Sequence, residues 1–300
     1  MKTLCNVRNQ VGESPLWSVA EQALYWVDIE GRRLHRFDWN TNVEQSWPTV
    51  ERIACIALHA GGGLIAGMDT GVFHLRVDAA LEATAVLVAV LLYPAQFPRE
   101  GMRFNDGRCD RVGRFWVSSM VRDMAQAAGD GALYCCDEQG ISQPIVTGLV
   151  TGNGLGFSPD GATMYLSDSH PTVCKIWAFD VDANGVPSNR RLFVDMRQYA
   201  GRPDGAAVDA EGGYWICGND AGQVHRFLPD GRLDRSITVP VSKPSMCAFG
   251  GPGMDQLFIT SIKPAQAVAG FDAALDGAVF ITQPGVRGLP ETPFKQRETI

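Results

Sequence analysis

Residues 202–217 read RPDGAAVDAEGGYWIC. In this stretch a polar turn at Asp204 opens a short apolar strand, and an aromatic strand follows at Trp215. The same arrangement, with a spacing of 11 to 13 residues, occurs upstream in three further pairs: Glu13 with Trp26, Asn105 with Trp116, and Asn153 with Tyr165. Because equivalent positions of a repeat occupy equivalent places in the fold, these four polar residues are expected to share one local setting.

Six copies of this unit fit the chain. Their middle strands lie about 40 to 50 residues apart, which is the spacing of a propeller blade with four antiparallel strands. Short apolar runs bounded by glycine and proline dominate, and no long stretch has a helical period. The sequence therefore predicts an all-β, six-bladed β-propeller that forms a single domain over residues 1–300. A strand near Leu4–Arg8 is expected to close the ring by pairing with the last blade.

Composition excludes several classes of partner. The net charge of -7 opposes binding to nucleic acid or to an anionic membrane, because both require a basic surface. No stretch reaches the roughly 18 to 20 apolar residues of a membrane span, and residues 1–11 lack the apolar segment of a signal peptide. The eight cysteines form no CxxC pair and are interpreted as reduced thiols. We therefore expect a cytoplasmic protein that is monomeric or a weak homo-oligomer.

The repeat register predicts a site at one mouth of the propeller channel. Inner strands line the channel, so their first residues, Glu13, Asn105, Asn153 and Asp204, are expected to surround this mouth. Two carboxylates and amide oxygens form a hard donor set that suits one divalent cation. Ca²⁺, Mg²⁺ and Mn²⁺ fit this set best, and Zn²⁺ or Fe²⁺ stays open. The five histidines show no HxH or HExxH spacing, which opposes a histidine-rich zinc site.

Other polar residues admit two interpretations. Asp106, Asp160 and Asp230 each precede glycine and are interpreted as turn formers. Arg103 follows a loop rich in proline and glycine and could donate paired hydrogen bonds to a hydroxylated ligand. Asp123, on an irregular insertion, could accept hydrogen bonds from hydroxyl groups. A surface charge is the alternative for both.

The motifs, taken together, resemble the SMP-30/gluconolactonase/regucalcin family. They are GESPLW (12–17), RFNDG (103–107), NGL (153–155) followed by SPDG (158–161), and PDG (203–205), in the family's order. The resemblance implies a propeller that binds one divalent cation and hydrolyses sugar lactones to aldonic acids. By position it implies three metal ligands, Glu13, Asn153 and Asp204. It also implies three substrate contacts, Arg103, Asn105 and Asp123.

A cation-assisted attack of water on a sugar lactone fits these residues. A bound cation would polarise the lactone carbonyl, and Asp204 would orient or deprotonate the water. The chain has no GxSxG motif, which opposes a covalent serine mechanism. Two alternatives remain open. One is another metal-dependent ester or organophosphate hydrolase, and the other is a non-catalytic calcium-binding or interaction propeller.

Overall fold

Six antiparallel sheets form the blades of a β-propeller in the computed structural model, which describes residues 1–295. Each blade has four strands in meander order, except that blade 3 has a fifth. The innermost strand of each blade contacts the innermost strands of its two neighbours, and the contact between blades 6 and 1 completes the ring. The predicted all-β, six-bladed fold is confirmed. The end of the predicted domain, residues 296–300, lies outside the described residues.

The strands are distributed over the blades in chain order. Strand β1 (Lys2–Thr3) belongs to blade 6. Blade 1 contains β2 (Gly12–Ser18), β3 (Ala23–Asp28), β4 (Arg33–Asp38) and β5 (Val43–Pro48). Blade 2 contains β6 (Ile53–Leu58), β7 (Leu64–Met68), β8 (Gly71–Arg76) and β9 (Val88–Pro94). Blade 3 contains β10 (Met102–Cys109), β11 (Phe115–Val121), β12 (Gly131–Asp137), β13 (Gly140–Ile141) and β14 (Val146–Leu149).

The second half of the ring follows the same plan. Blade 4 contains β15 (Gly152–Phe157), β16 (Thr163–Asp168), β17 (Lys175–Val181) and β18 (Pro187–Asp195). Blade 5 contains β19 (Arg202–Val208), β20 (Tyr214–Asn219), β21 (Gln223–Phe227) and β22 (Leu233–Thr238). Blade 6 contains β23 (Pro244–Gly250), β24 (Gln256–Ser261) and β25 (Phe280–Thr282), with β1 on its outer edge. Short 3₁₀ helices span Met124–Gln126, Met196–Gln198 and Ala273–Leu275.

An N-terminal strand closes the ring, but not where the sequence predicted it. Lys2 and Thr3 pair with Ile281 and Phe280 of β25. The expected strand near Leu4–Arg8 is absent from the described structure. The apolar side chains of this segment instead pack against the core between blades 6 and 1, so burial rather than strand pairing accounts for the apolar pattern.

The core lies between the blades. One cluster of buried apolar side chains fills each of the six junctions between neighbouring blades. Each large apolar side chain buried in this way contributes about 1.5–3 kcal/mol. Five tryptophans are almost fully enclosed: Trp17, Trp26, Trp47, Trp116 and Trp215. Their role is therefore blade packing.

The C-terminal segment, residues 284–295, crosses the face opposite the predicted site. Its backbone bonds to Met254 in blade 6 and to Ala210 in blade 5, and then to Leu58 in blade 2. Glu291 of this segment accepts a hydrogen bond of 3.0 Å from Arg108 of the inner strand β10. The segment therefore ties blades together that are distant in sequence.

No helix within residues 1–295 has the length and apolar character needed to cross a membrane. All eight cysteines are free thiols, and six of them are buried. This agrees with the interpretation of the cysteines as reduced core residues.

Candidate functional site

Each inner strand carries a β-bulge near its first residues. In blades 1 and 4, Glu13 and Asn153 are the last paired residues before the bulge. In blades 3 and 5, Asn105 and Asp204 are instead the first unpaired residues inside it. The prediction that all four residues share one register is therefore wrong by one position.

The bulge explains how two registers can serve one site. A regular strand sends successive side chains to opposite faces, whereas a bulge breaks this alternation and re-aims one side chain. Ser14 follows Glu13 and has a positive φ angle of 50°. Gly154 follows Asn153 and has a positive φ angle of 60°. Two slightly different bulges thus present neighbouring positions to the same channel mouth.

Hydrogen bonds join part of the predicted site into a chain across blades 3 and 4. The Nη1 atom of Arg103 donates to Asn105 Oδ1 at 2.9 Å. The Nδ2 atom of Asn105 donates to Asn153 Oδ1 at 3.1 Å and to Gly152 O at 2.9 Å. The Nδ2 atom of Asn153 donates in turn to Ser169 Oγ at 2.7 Å. Both amide groups are thereby fixed in orientation, and Asn153 Oδ1 keeps a second lone pair for another partner.

Two carboxylates, Glu13 and Asp204, complete the group. Burial, reinforced by the neighbouring carboxylates Asp204 and Asp106, holds the pKa of Glu13 well above its ordinary value. Burial likewise raises the pKa of Asp204 to about 7, against the lowering effect of a hydrogen bond from Asn219. Carboxyl groups brought together in this way repel one another when ionised, and a bound cation is the usual means of relieving that repulsion.

Asp106 departs from its interpretation as a turn former. It lies inside the bulge of β10 rather than in a hairpin, and it is only 6% exposed. Its Oδ2 atom accepts a hydrogen bond of 2.9 Å from the backbone N–H of Leu155 in blade 4, which joins two blades. Its Oδ1 atom is buried without a hydrogen-bond partner among the described residues. Burial raises the pKa of this carboxyl group.

Asp123 lies on the same face but is not joined to the cluster. Its insertion leaves blade 3 after β11, whose end pairs with Met102 and Arg103 at the mouth. The exposed carboxylate accepts hydrogen bonds from Ala125 N at 3.0 Å and from Gln126 Nε2 at 2.8 Å. Asp123 therefore caps a short 3₁₀ helix. In this arrangement it faces its own loop and makes no hydrogen bond to the other predicted residues.

Two residues of the site had no counterpart in the sequence analysis, Asn219 and Ser169. Asn219 Nδ2 donates to Asp204 Oδ2 at 2.5 Å, and Ser169 holds Asn153 as described above. Both stand at or just after the end of the second strand of their blade. The available signal was the repeat itself, since blades 1 and 4 carry aspartate where blade 5 carries Asn219.

The donor set is compatible with a divalent cation. Glu13 and Asp204 supply two carboxylates, and Asn153 supplies an amide oxygen, all of them hard donors. No group of three or more His, Cys, Asp or Glu residues is placed for metal binding in the part of the chain that the structure describes. Any cation here would therefore depend on the amide oxygen and on water in addition to the two carboxylates. Such a set leaves coordination positions open to a substrate.

Comparison with known proteins gives consistent matches over almost the whole chain. The family profile of the SMP-30/gluconolactonase/LRE-like region matches residues 11–263. A 6-deoxy-6-sulfogluconolactonase of Pseudomonas putida is 36% identical over 296 residues, covering 97% of each chain. A pentonolactonase of Haloferax volcanii is 32% identical over 287 residues, covering 94% of each chain.

A solved structure repeats the architecture. Regucalcin of Agrobacterium tumefaciens, described as a calcium-binding protein, superposes with a TM-score of 0.87 at 25% identity. The match covers 98% of this chain and 96% of that one.

Proposed function

This chain belongs to the SMP-30/gluconolactonase/LRE-like family, and from that premise we propose that it hydrolyses a sugar lactone to the aldonic acid with one divalent cation. Two relatives with similarity over nearly the full length are named as lactonases of sugar acids. The observation that carries the proposal is the pair Glu13 and Asp204, two carboxylates with raised pKa values beside fixed amide groups.

Glu13, Asn153 and Asp204 are the residues that would hold the cation. When bound, a divalent cation supplies a Lewis acid that polarises a carbonyl oxygen. The hydrogen bonds from Asn105 to Asn153 and from Asn219 to Asp204 keep two of these ligands in place before binding. Preorganisation of this kind reduces the free-energy cost of assembling the site.

Asp204 is proposed to act as the general base. Its carboxylate would take a proton from a water molecule whose oxygen attacks the lactone carbonyl carbon. The ring C–O bond then breaks, and the proton passes to the departing ring oxygen, which gives the hydroxy acid. In the metal-free protein burial raises the pKa of this carboxyl group, and a bound divalent cation would favour its ionised form, which is the form that a general base requires.

Arg103, Asn105 and Asp123 are proposed to contact the sugar hydroxyl groups. Arg103 is partly buried at the mouth, and its guanidinium already orders Asn105. A guanidinium can donate several hydrogen bonds in fixed geometry, which suits a polyhydroxylated ring. Asp123 would have to turn from its capping position in order to reach a substrate.

The chain is further proposed to act as one domain in a reducing compartment, the cytoplasm. Its eight free thiols support this assignment. Its proposed partner is a sugar lactone, with neither nucleic acid nor membrane. It is expected to be a monomer or a weak homo-oligomer, which size-exclusion chromatography tests.

The decisive experiment measures acid release by metal-stripped protein. A panel of five- and six-carbon aldonolactones is tested with Ca²⁺, Zn²⁺, Mn²⁺, Mg²⁺ and Fe²⁺ restored in turn. We expect release from at least one lactone with at least one cation, and a loss of about 100-fold or more in Asp204→Asn, in line with removal of a general base. Asp160→Asn is the matched control, because Asp160 is exposed in a turn outside the site.

The alternatives make different predictions in the same experiment. Turnover of aryl esters or phosphotriesters without lactone hydrolysis would assign a different hydrolase to this site. Cation binding without turnover of any substrate would indicate a binding propeller, and the proposed function would be wrong.

A further inference from the structure

The second strand of blades 1 and 4 ends in an aspartate with a structural role. Asp28 and Asp168 stand opposite the first residues of the inner strands of blades 1 and 4. Asp28 accepts backbone hydrogen bonds from Gln10 at 2.9 Å and Val11 at 3.0 Å. Asp168 accepts the equivalent bonds from residues 150 and 151, at 2.7 and 3.1 Å. In both blades the carboxylate fixes, through these hydrogen bonds, the backbone that leads into the inner strand.

Asn219 occupies the same position in blade 5 and behaves differently. It stands opposite Arg202, as Asp28 and Asp168 stand opposite their inner strands. Its Nδ2 atom donates to Asp204 Oδ2 at 2.5 Å instead of serving the backbone. Asn219 is 2% exposed, and its Oδ1 atom is buried without a hydrogen-bond partner within residues 1–295.

The hydrogen-bonding capacities of aspartate and asparagine explain why blade 5 carries asparagine at this position. An ionised aspartate only accepts hydrogen bonds, so an aspartate at position 219 would repel Asp204. An amide donates through Nδ2 and can therefore hold a carboxylate. A buried amide oxygen without a partner costs stability, and blades 1 and 4 show that the fold can use an aspartate at this position without such a cost.

We propose that Asn219 is a positioning residue that fixes the orientation of Asp204 for cation binding. The hydrogen bond occupies Asp204 Oδ2 and leaves Oδ1 as the oxygen available to the cation. The inference rests on the proposed function, since it assigns Asp204 to the cation site. Partners that orient metal ligands typically change metal affinity by about 10- to 100-fold when they are removed.

The test measures Mn²⁺ binding to metal-stripped full-length protein by titration calorimetry. Asn219→Ala removes the donor, and Asn219→Leu removes it while retaining most of the side-chain volume. Both variants are expected to bind Mn²⁺ about 10- to 100-fold more weakly. Asn219→Gln keeps an amide donor and is expected to recover part of the affinity. With Mn²⁺ saturating, kcat on the best lactone is expected to fall more than KM rises.

The matched control is Asn9→Ala. Asn9 is also a buried asparagine, 1% exposed. It donates to Gly277 O at 2.7 Å and accepts from Trp26 Nε1 at 3.2 Å, outside the site. Its removal is expected to lower the thermal unfolding midpoint and to leave Mn²⁺ affinity unchanged.

Asp204→Ala separates failure of the inference from failure of the proposed function. If Asp204→Ala binds Mn²⁺ as tightly as the unaltered chain, the proposed cation site is wrong. If Asp204→Ala loses binding while both Asn219 variants stay within twofold of the unaltered chain, only the positioning role is overturned. Loss of the folded state in both Asn219 variants would assign a structural role and would likewise overturn it.

Discussion

Replacement of Asp204 by asparagine is expected to stabilise the metal-free protein at neutral pH while it abolishes lactone hydrolysis. Asp204 is 8% exposed, and burial raises the pKa of its carboxyl group from the ordinary 3.8 to about 7. Asparagine has nearly the same shape and can still accept the hydrogen bond from Asn219. It removes only the group that must ionise in a buried place.

The sign and the size of the effect follow from proton linkage. Below pH ~4 the carboxyl group is protonated in both the folded and the unfolded chain. Between pH ~4 and ~7 only the folded chain keeps the proton, so the free energy of unfolding falls as the pH rises. Above pH ~7 both states are ionised, and the loss is complete. Each pKa unit corresponds to about 1.4 kcal/mol, so the full difference is up to about 4 kcal/mol.

Urea unfolding at several pH values, with chelator present, measures this difference. The unaltered chain and Asp204→Asn are expected to have similar stabilities near pH 4 and to diverge progressively up to pH 8, with the variant more stable. Groups that do not interact with Asp204 titrate alike in both proteins and cancel in the comparison, whereas the variant also removes the repulsion that raises the pKa of Glu13, which favours the variant in the same direction. Parallel stability curves from pH 4 to pH 8 would refute the reasoning, because they would show that Asp204 ionises in the folded chain without cost.

Three further predictions concern the scaffold. Asp209→Ala is expected to lower the free energy of unfolding in urea by about 3–5 kcal/mol. The reason is that the fully buried carboxylate accepts hydrogen bonds from Arg226 at 2.7 Å and from Trp215 at 2.8 Å. A loss below about 1 kcal/mol would contradict this. Glu291→Gln is expected to lower the free energy of unfolding by about 1–3 kcal/mol, because it weakens the hydrogen bond from Arg108. Its kcat on a lactone is expected to stay unchanged. A lower kcat would contradict the separation of Glu291 from the site. In the native protein, a thiol reagent is expected to modify the two partly exposed cysteines well before the six buried ones; uniform reaction of all eight would indicate a looser core.

The sequence was sufficient to predict the blade architecture and the residues proposed to bind the cation. Repeated turns and aromatic strands recur along the chain, and each is a local pattern that neighbouring residues determine. The same repeat marked Glu13, Asn105, Asn153 and Asp204 as candidates, and the family resemblance selected Glu13, Asn153 and Asp204 among them as the metal ligands. The structure joins two of them, Asn153 and Asp204, to hydrogen-bond donors that fix their orientation.

The errors came from backbone bulges and from a contact between blades. The Asp106-Gly107 pair reads as a turn, yet Asp106 lies in a bulge and bonds to the neighbouring blade. The bulges also shifted the register by one residue, and no local pattern in the sequence distinguishes a bulge from a regular strand.

The sequence by itself determined the number of blades, the absence of helical layers, and the polar residues at the starts of the inner strands. These properties follow from the period of the hydrophobic pattern, which every copy of the repeat carries within about 40 to 50 residues. Only the tertiary structure decided which of those polar groups lie together and what holds them. Asn219 reaches Asp204 across a strand pair, and Glu291 reaches Arg108 from the far end of the chain. Such partners are set by the position of each side chain in the folded chain, because the hydrophobic period fixes the strands but not which polar groups meet.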